Sequence, residues 1–96
     1  MKVILQRNIY FQSKETGLLN SMVSKECNWK ILPIIGAIVD DEAWHRDDVT
    51  KIENIVIPSD EGDAYYVELN SFSVGSALSV NKQAEIAKSH GWKIEF

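Results

Sequence analysis

Two runs of β-forming residues, 49–57 and 64–69, flank the cluster Ser59-Asp60-Glu61-Gly62-Asp63. Glycine supplies positive φ and the acidic side chains keep the tip wet, so the cluster reads as a turn. Strand formers on both sides then make a β-hairpin with a five-residue loop. Within the second run, Tyr65, Val67 and Leu69 fall on one side and Ala64, Tyr66 and Glu68 on the other. This hairpin is the strongest local constraint on the fold.

The remaining segments are read by period. Residues 1–11 predict a strand carrying Val3, Leu5 and Ile9, with Gln6-Arg7-Asn8 breaking the apolar pattern at a bulge or a sheet edge. Leu18 and Met22, Leu19 and Val23, and Val23 and Cys27 are each four apart, which predicts a helix over 18–27 with Thr16 as N-cap and Asn28 near its end. Residues 31–39 are the most apolar stretch. Pro33 holds Leu32 extended, and 34–39 reads as a strand buried on both faces, with Gly36 allowing a bend. An acidic loop follows at 40–48. Residues 72–74 predict a short strand. Ser79 or Asn81 can cap a helix running to His90, with Val80, Ala84 and Ala87 on its narrow apolar face and Gly91 just past its end. Residues 92–96 alternate as a last strand, and Trp29 and Trp92 sit at helix ends, where they fill the core. The expected fold is α+β: a mainly antiparallel sheet of four to six strands with two short helices packed on one face. At 96 residues it is one domain, 1–96.

Charge is unevenly placed. Residues 31–70 hold ten of the fourteen acids and two of the ten bases, whereas residues 1–30 hold five bases and two acids. An acidic middle disfavours nucleic acid and anionic membrane surfaces, both of which select Lys and Arg. No apolar run approaches the roughly 20 residues of a membrane span. One cysteine, Cys27, makes no intrachain disulfide and reads as a small apolar residue; a cytoplasmic location is expected.

Asp40, Asp41, Glu42, Asp47 and Asp48 surround His45, a composition that could hold a hard cation. The calcium-loop and two-histidine zinc spacings are missing, so the segment reads as a solvated loop, with neither metal nor cofactor expected. No nucleophile elbow, phosphate loop or dinucleotide turn occurs, and neither an enzyme nor a catalytic residue is expected. Trp44 has two readings: it folds back onto the core, or it anchors a partner as interface tryptophans do. The expected partner-binding set is Asp40, Asp41, Glu42, Trp44, Asp47, Asp48, Asp60, Glu61 and Tyr66. The expected function is that of a small acidic protein-binding protein, of the inhibitor, immunity or anti-defence type, meeting a basic protein surface. The alternative is a homo-oligomer that binds a small ligand between subunits.

Overall fold

The computed structural model describes residues 1–45, 47–60 and 63–96. The elements are β1 (Lys2–Ser13), β2 (Gly17–Asn28), β3 (Ile52–Val56), β4 (Ala64–Leu69), β5 (Phe72–Ser73), α1 (Ala77–Ser89) and β6 (Lys93–Ile94). One sheet runs β3-β4-β1-β2-β6, and β5 pairs with β1 past the end of β4. The fold is α+β with six strands. The sheet is mixed rather than antiparallel throughout: β1 runs parallel to both β4 and β5. Among the described residues one helix covers it, where two were expected.

The missing helix is β2. Residues 18–27 are a strand, paired antiparallel with β1 from Lys2↔Asn28 to Ser13↔Gly17. A spacing of four fits both a helix turn and two strand repeats, so the apolar pairs at that spacing do not separate the two. Side chains of Ser21 and Val23 are buried and Leu18 is exposed, which is alternation by two. Thr16 is no N-cap. It lies in the β1–β2 turn, donating its N–H to Ser13 Oγ at 3.0 Å, and Gly17 takes φ +67 there, the left-handed region that favours glycine.

The first strand holds neither edge nor break. It is the centre of the sheet, and Gln6-Arg7-Asn8 continues the alternation Val3, Leu5, Arg7, Ile9, all buried. The β3–β4 hairpin stands as expected, with Val56 opposite Tyr66, although β3 is shorter than 49–57 and the connection spans 57–63. The helix begins earlier than either expected cap: Ser76 Oγ accepts from Ser79 N–H at 3.2 Å. Its end is a Schellman turn: Gly91, at φ +92, donates to Lys88 O and Trp92 to Ala87 O. Val80, Ala84 and Ala87 pack the helix on the face that carries Val3, Leu5, Ile9, Val23 and Val67. Trp92 closes that core, and Trp29 packs against it half-buried.

Residues 34–39 are not a buried strand. Ile38 makes a single bridge to Lys51, and the segment lies on the surface. Gly36 takes φ +89, a left-handed conformation that interrupts an extended ladder inside the segment, and Pro33 just before it has no N–H to lengthen one.

Candidate functional site

The site is built outward from Arg7, whose side chain is 0% exposed. An isolated buried charge is costly, so its donors must be satisfied. Nε donates to Asn70 O at 2.7 Å, Nη2 to Asn70 Oδ1 at 3.3 Å and Nη1 to Thr50 Oγ1 at 3.0 Å. Nη1 also meets the Asp48 carboxylate at 2.7 Å. The flat guanidinium lies 4.4 Å from the Trp44 ring centroid and 5.0 Å from that of Phe72, a cation–π arrangement on both rings. Asn70 completes the box. Its Nδ2 donates to Val49 O, and its Oδ1 accepts from Lys51 N–H.

A second cation holds the other end of the acidic loop. Lys25 Nζ reaches Asp41 Oδ2 at 2.8 Å. Asp41 Oδ1 accepts from Ala43 N–H and from the Trp92 indole N–H. Burial pushes the Asp41 carboxyl up, but the bonds from Lys25, Ala43 and Trp92 outweigh it and hold the group below the ordinary carboxylate value. Between these two ion pairs Trp44 is 6% exposed, edge-on to Trp92 at 5.3 Å and tilted against Phe72 at 5.4 Å. Its Nε1 is buried with no hydrogen-bond partner among the described residues, so packing rather than a polar bond holds the ring.

The structure therefore divides the expected partner-binding residues. Asp41, Trp44 and Asp48 converge, but they face inward and are engaged by Lys25, Arg7 and the core; of the two readings of Trp44, folding back is the one realised. Asp40, Glu42 and Asp47 are exposed along the same loop, with Asp47 3.6 Å from His45 Nδ1. Asp60 is exposed in the β3–β4 connection, and Glu61 lies outside the described residues. Tyr66 is half-buried; as the register partner of Ile4 it lies on the sheet face away from the helix. Among the described residues, no three of His, Cys, Asp and Glu are grouped to hold a metal ion.

Beside the loop lies a feature unforeseen in the sequence. Ile31, Leu32, Ile34, Ile35 and Ile38 are 57–73% exposed. Several of them, with Trp29 and Pro33, line a groove of about 510 Å³ that reaches Ile52 on one side and Asp40 on another. Monomeric proteins seldom leave so many neighbouring aliphatic side chains in water, and such patches mark contact sites. Pro33 and Gly36 within this apolar stretch were the available sign against a buried strand. For Arg7 the sign was its phase: it shares the in-facing parity of Val3, Leu5 and Ile9. Nothing in the sequence marked Asn70 or Thr50. No protein-family model, curated protein or solved structure matches this chain.

Proposed function

We propose that this chain is a small protein-binding protein, of the inhibitor or immunity type, that engages a basic partner. The observation that carries the reading is an exposed aliphatic groove set beside unneutralised acids. Of the ten acids in 31–70, only Asp41 and Asp48 meet a lysine or arginine among the described residues. Asp40, Glu42 and Asp47 are left to set the local field. Such a field raises the encounter rate with a cationic surface by about 10- to 1,000-fold at low salt, and apolar contact then holds the complex.

The test is charge reversal at Asp40, Glu42 and Asp47, each to Lys, against the partner identified by native mass spectrometry of the complex. These side chains are exposed, so folding is unaffected. Association should slow by tenfold or more, and the wild-type rate should fall steeply with salt. Salt-independent association that ignores all three reversals overturns the reading. A second reading, a homo-oligomer with a ligand between subunits, draws on the uncovered sheet face, where Ile4, Met22 and Tyr66 line an open concavity of about 820 Å³.

A further inference from the structure

The groove has a hydrogen-bonding rim as well as an acidic one. Residues 36–39 lie against 50–52: Gly36 N–H donates to Ile52 O at 2.8 Å, Ile52 N–H to Ala37 O at 3.0 Å and Val39 N–H to Thr50 O at 2.8 Å. That pairing stops at Ile52, which itself lines the groove. From Asn54 to Val56, β3 pairs with β4 alone among the described residues, so its outer edge is open. Val56 and Ile57 are exposed at that end. An open edge beside an apolar groove suits strand addition, in which the main chain supplies affinity and alternate side chains enter the groove. The register shift between Ile52 and Asn54, and Pro58 beyond the strand, confine the added pairing to a few residues and discourage indefinite edge-to-edge growth.

Charge selects the occupant. Asp40 lines the groove, Glu42 and Asp47 follow it in the loop, Glu53 lies in β3 and Asp60 just past it; all five are exposed. Lys30 lines the groove as well, and Lys51 is the other nearby cation among the described residues, so the five exposed acids exceed the bases there. A second copy would set two acidic surrounds against each other, and an anionic lipid surface is repelled in the same way. A polypeptide bearing Lys or Arg between aliphatic residues matches both the charge and the apolar lining.

We infer that the groove at 29–38 and the open edge of β3 together receive an extended cationic segment of the partner, its aliphatic side chains in the groove and its backbone on β3. This rests on the protein-binding reading above and adds the place and the chemistry. The probe is a fluorescein-labelled seven-residue peptide alternating Lys and Leu, compared with its Glu–Leu counterpart and with a Lys–Leu peptide N-methylated at alternate residues, all followed by anisotropy. The variant is Ile34→Asp with Ile38→Asp; both side chains are in solvent, so its melting temperature stays that of wild type. The Lys–Leu peptide should bind wild type and bind the variant at least tenfold more weakly. N-methylation should weaken binding by a similar factor, and the Glu–Leu peptide should not bind. Equal binding of both charge signs, indifference to the variant, indifference to N-methylation, or no binding at all overturns the inference. So does a wild-type dimer that the variant makes monomeric, since the groove then belongs to a second copy. If reversal of Asp40, Glu42 and Asp47 slows the natural partner while the groove variant leaves it untouched, the basic-partner reading survives and this one falls; if neither moves it, both fall.

Discussion

Arg7 places a full positive charge inside the core, and everything around it is arranged to make that tolerable. Removing the guanidinium leaves Asp48, Thr50 and Asn70 short of partners. Arg7→Met should cost about 3–5 kcal/mol in urea unfolding, the usual penalty for breaking a buried pair by one partner. Adding Asp48→Leu should recover at least about 1 kcal/mol of that, because the stranded carboxylate goes too. A cost below about 1 kcal/mol for Arg7→Met would show that the box is not holding the loop. Asp41 offers a pH test. Its carboxyl is held below the ordinary value of 3.8, so its ionised form contributes stability that is present above that value and lost as pH falls through the lower folded value. Asp41→Asn should therefore be destabilised at neutral pH by about 1–3 kcal/mol. The gap from wild type should narrow as pH drops below 3.8. A gap that stays constant down to pH 2 would assign the loss to shape rather than charge. The acids of this loop were legible in the sequence. Their division into spent and free ones was not, because it depends on which cations the sheet register delivers.

At the scale of the element, legibility follows how local the signal is. The β3–β4 hairpin and α1 announce themselves through turn residues, the glycine that ends the helix and an apolar stripe, all within a dozen residues, although the capping serine, Ser76, lies before either cap the sequence suggested. The β2 strand does not, because pairs four apart satisfy two periods at once. The deciding spacings are two and three, and here Ser21 holds the buried place that separates Leu19 from Val23. Substitution distinguishes them in solution as well. Leu18 is 59% exposed on the strand but sits on the stripe of the alternative helix. Leu18→Lys should shift stability by no more than about 0.5 kcal/mol, whereas Val23→Ala should cost about 1.5–3 kcal/mol for its lost methyl groups and the cavity. Comparable costs at the two positions would contradict the register. The apolar stretch at 31–38 shows the opposite limit: its hydrophobicity, even with Pro33 read as holding Leu32 extended, predicts a buried strand at 34–39, and the chain instead carries it outside.

Over the whole molecule, the cationic first third neutralises part of the acidic middle through two long-range contacts, Arg7 to Asp48 and Lys25 to Asp41. Of the remaining acids, Asp40 lines the groove, and Glu42, Asp47, Glu53 and Asp60 are exposed in the loop and strand that follow it, a surplus of negative charge that opposes self-association. Sedimentation at micromolar concentration should give the single-chain mass of 10.9 kDa; a stable dimer would favour the reading built on the uncovered sheet face. The central position of β1 also governs the order of events during synthesis. A hairpin of β1 and β2 closes within about 1–10 μs once its residues are free. Its other neighbour, β4, is not complete until Leu69, about 2–8 s later at ordinary elongation rates. Through that interval the nascent hairpin carries an uncovered apolar face with an arginine in its middle. The same charge that is paired with Asp48 in the finished core makes the face of the unfinished hairpin polar until that partner arrives.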